Sequence, residues 1–186
     1  MRVLAPLFVV LLFAPCGPSA AAQATEPTPT PFDPISRVVM HPRCMNCHQD
    51  ASPRQTDAAF LHRPLIVRGK DGHGAPTQPC QTCHQAMNAA DGFVPGVATW
   101  HLAPLSMVWE GRTTQQICEE MKDPERNGGR RTGREVIEHM KVDPLVLWAW
   151  APGVGRSTPP LSHEQFVAAL EAWVDAGMPC PRGKTE

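Results

Sequence analysis

Twice in this chain, two cysteines separated by two residues are followed at once by a histidine: Cys44-Met45-Asn46-Cys47-His48 and Cys80-Gln81-Thr82-Cys83-His84. No other feature constrains the chain so tightly. Thiols at this spacing add across the two vinyl groups of one haem, and the next residue brings an imidazole under the iron as proximal ligand. Two covalently attached c-type haems are therefore the expected cofactors, held by Cys44, Cys47, Cys80 and Cys83 with His48 and His84 as iron ligands. Paired C-x-x-C motifs also build four-cysteine zinc sites, and single ones serve thioredoxin-like redox chemistry. Neither of those uses requires a histidine directly after the second cysteine.

The N-terminus fits this reading. Arg2 is followed by an apolar run from Val3 to Ala14 and then by small residues, Ser19 to Ala22 and Ala24. This is the layout of a secretory signal, with cleavage expected after Ala22 or Ala24. The apolar stretch falls short of the roughly 20 residues of a membrane span, and no later stretch reaches that length. A lipid anchor on Cys16 is disfavoured because Pro15, not a small residue, precedes it. A soluble periplasmic protein with no membrane span is expected. Residues 1–24 are expected to be the signal peptide, 25–34 an extended linker alternating Pro with Thr and acidic residues, and 35–186 the folded domain.

With the leader removed, about 160 residues remain, the size of one domain. They are rich in breakers, since the sequence holds 21 Pro and 14 Gly, and it has no Tyr and only 19% charged residues. Ordinary side chains would give such a chain a thin core. Its 17 basic and 18 acidic residues nearly cancel, which removes any general electrostatic case for nucleic acid as a partner. Outside the leader and the two motifs, two cysteines remain, Cys118 and Cys180. In an oxidising compartment they are expected to pair, the alternative being two separate buried thiols.

Only 31 residues, Gln49 to Pro79, separate the motifs, and Pro and Gly stud them, which leaves little room for two independent haem domains. The expected fold is mainly α and loop-rich, a single unit of short helices packed around two haems. Three helix starts are legible downstream. Thr113 with Gln116 and Thr132 with Glu135 have capping-box spacing, and Pro124 and Pro144 mark the ends. Ser162 with Gln165 opens a third helix, stapled by Leu161 and Phe166, with Phe166, Leu170, Trp173 and Val174 on one face up to Gly177. Leu145 to Trp150 is an apolar run too short to assign, and it is expected to pack either on porphyrin or in ordinary core. Trp100 and Trp109 carry the same two readings.

The sixth iron ligand separates electron transfer from ligand-binding chemistry, because a His or Met there closes the iron. His62, in a loop between the motifs, is the first candidate. His101 follows, within an apolar, Pro-bounded segment where an unpartnered imidazole is costly. His139 and Met107 come next. His41 is expected to pack or hydrogen-bond, and His73, between two glycines, to face solvent. The four arginines between Arg126 and Arg134 either neutralise haem propionates, dock an acidic partner or form a solvated loop.

Beyond the haem motifs, the chain resembles small dihaem cytochromes c, and among them the proteins labelled isoquinoline 1-oxidoreductase subunits. The resemblance covers most of the chain after the leader. It rests on His41-Pro42-Arg43 before the first motif, Val67-Arg68-Gly69, Trp100-His101-Leu102-Ala103-Pro104, Lys122-Asp123-Pro124, Asn127-Gly128-Gly129-Arg130 and the closing Cys180-Pro181. It implies a dihaem cytochrome c domain acting as a periplasmic electron acceptor for a molybdopterin dehydrogenase. The expected function is electron transfer rather than turnover. The alternative is a dihaem enzyme of peroxidase type, which needs one open haem and an acid or base beside it, with His139 and Glu138 the nearest candidates.

Overall fold

Residues 28–182 are described by a computed structural model, so the expected leader and the first residues of the linker lie outside the described residues. Local sequence dictates most of the helix boundaries. Thr113 caps α3 (Thr114–Lys122) and Ser162 caps α6 (His163–Asp175), each with the reciprocal side-chain bond from the glutamine three residues on. Thr132 caps α4 (Gly133–Val142) by accepting from the Glu135 amide. Glu135 itself reaches past the cap to the Arg131 amide, at 2.6 Å, so the reciprocal half of that box is displaced by one residue. Asp143 then accepts from the amides of Leu145 and Val146 and opens α5 (Pro144–Trp148), which resolves the apolar run as a short helix.

The expected linker is shorter than residues 25–34. α1 (Asp33–Val39) begins inside it, with Pro34 at the start of the helix where its missing N–H costs nothing, and Phe32 is fully buried against Trp173. The physical reason is that Phe32, Ile35, Val38 and Val39 form one apolar face whose burial outweighs the preference of the preceding prolines for extended chain.

Both α1 and α4 pack on α6, and α5 packs on α4. Ile117, Cys118, Val136, Met140, Phe166, Leu170 and Trp173 fill the space between them. Cys118 on α3 is bonded to Cys180, S–S 2.06 Å, which ties the end of the chain to this bundle. α2 (Pro42–Met45) carries the first motif. The segment after it is loop, with two two-stranded antiparallel ribbons: β1 (Arg54–Gln55) with β2 (Phe60–Leu61), and β3 (Gly74–Ala75) with β4 (Gln78–Pro79). The described residues thus hold six helices and two small sheets, a mainly helical and loop-rich chain. No helix among them is long and apolar enough to cross a membrane.

Candidate functional site

The two cysteine motifs fold into the same turn. In the first, the amides of Cys47 and His48 both donate to the Cys44 carbonyl, at 3.1 and 3.3 Å; in the second, those of Cys83 and His84 both donate to Cys80, at 3.2 and 3.0 Å. His41 caps the first turn through Nδ1, and Ser157 meets its Nε2, so neither nitrogen of His41 is spare. Neither thiol pair is closed as a disulfide. Burial pushes the Cys44 thiol up to about 12 and Cys47 to about 11, and Cys80 lies near enough to raise Cys47 further. Thiols held neutral in this way have poorly nucleophilic sulfurs.

Each motif histidine is held by the same two devices. His48 Nδ1 lies 2.7 Å from the Met107 carbonyl, and His84 Nδ1 lies 2.7 Å from that of Pro95. A carbonyl only accepts, so the proton sits on Nδ1 and the Nε2 lone pair is left as a metal donor. Each ring is also stacked on an indole: His48 on Trp109, with ring centres 3.6 Å apart, and His84 on Trp100, at 4.4 Å. Burial lowers the His48 pKa to about 4 and lowers that of His84 as well, so both rings are neutral at physiological pH. Trp100 and Trp109 thus touch the motif histidines directly.

The first set opens into a cavity of about 230 Å³, whose lining includes Cys44, Cys47 and His48 together with Val146, Trp148 and Phe166. His101, Met107 and His139 also line it. His139 lies half-buried on α4, with Nδ1 3.5 Å from the Asp143 carboxylate, and burial and the Arg130 charge lower its pKa to about 4. His101 points Nδ1 at the Thr99 carbonyl. Met107 is tied to the far side of the His48 ring by its carbonyl, which sets its backbone behind that imidazole. Arg130 also lines the cavity, while Arg126 is spent in an ion pair with the buried Glu120. Of the four arginines in this stretch, Arg130 thus serves the cavity, Arg126 the bundle, and Arg131 and Arg134 are exposed.

His62 is placed at the second set instead. Its ring centre lies 6.0 Å from that of His84, and its Nδ1 is 2.9 Å from the Pro64 carbonyl. His73, expected to face solvent, is half-buried, with its ring 5.1 Å from His101 and its Nδ1 3.2 Å from the Gln81 amide nitrogen. Of the six cysteine and histidine residues in the two motifs, Cys83 is the most open to solvent.

Three further residues hold these pieces in place. Arg68 is buried and its guanidinium donates to the carbonyls of Gln49, Asp50 and Ala103, which pins the chain leaving the first motif to the segment that carries His101. Asn88 accepts from Gly96 N and from Trp148 Nε1 through one oxygen and donates to the Ala151 carbonyl. Gly96 lets the loop under His84 close, since a Cβ there would sit 2.2 Å from the Met87 carbonyl oxygen. Arg68 stands in the Val67-Arg68-Gly69 stretch that carries the resemblance, but its bonding role depends on carbonyls distant in the chain, and a lone Asn or Gly between breakers gives no period and no motif.

Among the described residues, no three His, Cys, Asp or Glu side chains converge to hold a metal ion by themselves. The four motif thiols therefore do not meet at one point, as a four-cysteine zinc site requires. No family model, no curated protein and no solved structure matches this chain.

Proposed function

We propose that this protein is a periplasmic electron carrier with two covalently bound c-type haems, at Cys44, Cys47 and His48 and at Cys80, Cys83 and His84. The observation that carries the reading is the repetition of one environment around two motif histidines far apart in sequence. Both have the same turn, the same Nδ1–carbonyl bond and the same stacked indole. A carbonyl behind a ligating imidazole fixes its tautomer and raises its basicity as a metal donor.

The residues fit the group. Two thiols and an imidazole line a largely apolar cavity in the first set, and a second imidazole, its ring centre 6.0 Å from that of His84 and its plane at 62° to it, accompanies the thiols in the second. Bound haem supplies one-electron redox chemistry, with a potential set by the axial ligands and by burial. The chain's contribution is to hold each motif imidazole neutral with its Nε2 lone pair free, to line the first site with Val146, Trp148 and Phe166, and to place Arg130 at the same cavity, where its charge would offset acidic groups of a bound haem. The leader and the resemblance to small dihaem cytochromes c together point to a periplasmic molybdopterin dehydrogenase as the electron donor.

A dihaem enzyme of peroxidase type is the second reading, favoured by one observation: both His101 and His139 line the first cavity, so one is left over if the other ligates. Visible spectra of periplasm-matured protein, with carbon monoxide added after reduction and with peroxide added to the half-reduced form, separate the two. The carrier gives low-spin bands unmoved by carbon monoxide and no peroxide turnover. A carbon monoxide adduct together with peroxide turnover would favour the enzyme.

A further inference from the structure

We infer that His62 is the sixth ligand of the iron held by His84, delivered by a hairpin that is anchored on the other attachment motif. The inference rests on the two-haem reading above and assigns one axial pair within it.

Distance comes first. A first-row metal binds imidazole nitrogen at about 2.0–2.1 Å, so two imidazoles on opposite sides of one ion have ring centres roughly 6 Å apart. The His62 and His84 centres are 6.0 Å apart. Their chemistry agrees, because each ring has Nδ1 against a backbone carbonyl, Pro64 for one and Pro95 for the other. Each therefore offers the Nε2 lone pair, and neither Nε2 has a hydrogen-bond partner among the described residues. The other six histidines make no such pair with His84.

The hairpin carrying His62 is fixed from the first motif. Asn46, inside that motif, accepts from Arg54 N at 3.0 Å and donates from its side chain to the Thr56 carbonyl at 2.9 Å. Arg43, one residue before Cys44, pairs with Asp57 at the hairpin tip, 2.6 Å. At the base of the hairpin, His62 N donates to the Pro53 carbonyl and Arg63 N to the Gln55 side chain. The imidazole is thus held out from the first motif toward the second.

Apolar exposure marks the same place. Phe60 is 63% exposed and Leu65 61% in the hairpin segment, while Met87 is 74% and Phe93 72% in the loop following His84. Large apolar side chains on both segments that carry the two imidazoles are what a porphyrin lying between them would cover.

The test uses the full chain matured with haem, compared with His62→Gly, His62→Met and a hairpin control, Leu61→Ala. After reduction, each His62→Gly chain is expected to bind one more carbon monoxide than wild type, and imidazole added to the oxidised variant restores its low-spin spectrum. In His62→Met the potential of one haem rises and the other stays, since methionine ligation raises it. Leu61→Ala changes neither. The assignment is overturned if both His62 variants keep two haems with wild-type carbon monoxide binding and potentials, or if Leu61→Ala reproduces their changes. Where His62→Gly fails to mature, His62→Met decides alone. A wild-type chain lacking haem at Cys80 and Cys83 refutes the two-haem reading itself, and mapping of that peptide tells the two failures apart.

Discussion

The indole of Trp109 lies face to face with the imidazole of His48, ring centres 3.6 Å apart and planes 13° from parallel. Trp109 is also nearly fully buried in the helical core, whereas Trp100, stacked on His84, is half-buried. One indole therefore joins the first site to the fold, and the other covers a site nearer the surface.

That difference predicts unequal losses. Trp109→Ala should cost about 3–5 kcal/mol of stability, the range for deleting a large buried aromatic. Trp100→Ala should cost clearly less, and Trp109→Phe, which keeps a ring on His48, should fall between wild type and Trp109→Ala. Denaturant unfolding midpoints of the three variants check the order. Equal losses at positions 100 and 109 would contradict it.

Cys118 and Cys180 close a loop with a sequence separation of 62. In the chain-entropy model such a closure contributes on the order of 4 kcal/mol. The double variant Cys118→Ser/Cys180→Ser should lose stability of that size, with visible bands unchanged, because the bond lies outside both sites. A variant as stable as wild type, or one with altered haem spectra, would contradict this placement.

Asp143 has two tasks. Its Oδ1 caps α5 at 2.9 and 3.2 Å from two amides, and its Oδ2 faces His139 at 3.5 Å. Asn caps as well as Asp, so Asp143→Asn should stay within a few tenths of a kcal/mol of wild type while Asp143→Ala loses about 1 kcal/mol. Thermal unfolding of the two variants reads this directly.

How much of this was legible beforehand differs from residue to residue. Thr113, Thr132 and Ser162 announced their helices because a cap acts within four residues and needs no tertiary partner. The pairing of Cys118 with Cys180 was expected from the cysteine count together with an oxidising compartment, and the structure closes the bond. Phe32 did not read as core, since an aromatic among prolines has no period. The site residues split along the same line. His62 and His101 both stood out as candidates, but only folding assigns His62 to His84 and His101 to the other cavity, because that depends on a hairpin bonded to Asn46 over long loops. The indole stacks were hidden for the same reason, as Trp109 lies 61 residues from His48 by chain position.

Glu120 gives a prediction in pH. Its side chain is buried, with Oε2 lacking any hydrogen bond, while Arg112 and Arg126 pair with Oε1. Burial raises its pKa more than the two guanidiniums lower it. A carboxyl with a raised folded pKa takes up its proton more readily folded than unfolded, so its ionised form disfavours folding above that pKa and acidification relieves the effect. Glu120→Gln, which stays neutral, should be at least as stable as wild type at pH 7. Its relative advantage should shrink as pH falls toward the ordinary glutamate value of 4.5. Chemical unfolding of both proteins across that range checks the sign, and an advantage that grows on acidification would contradict it.

The most direct test of the central claim is the intact mass of the denatured chain after maturation in a periplasm that assembles c-type haem, followed by mapping of the tryptic peptides. The account predicts a mass increase of two haems per chain, resistant to acid–acetone extraction, with one haem on the peptide holding Cys44 and Cys47 and the other on that holding Cys80 and Cys83. A chain at its apo mass, or carrying zinc in place of haem, would contradict it.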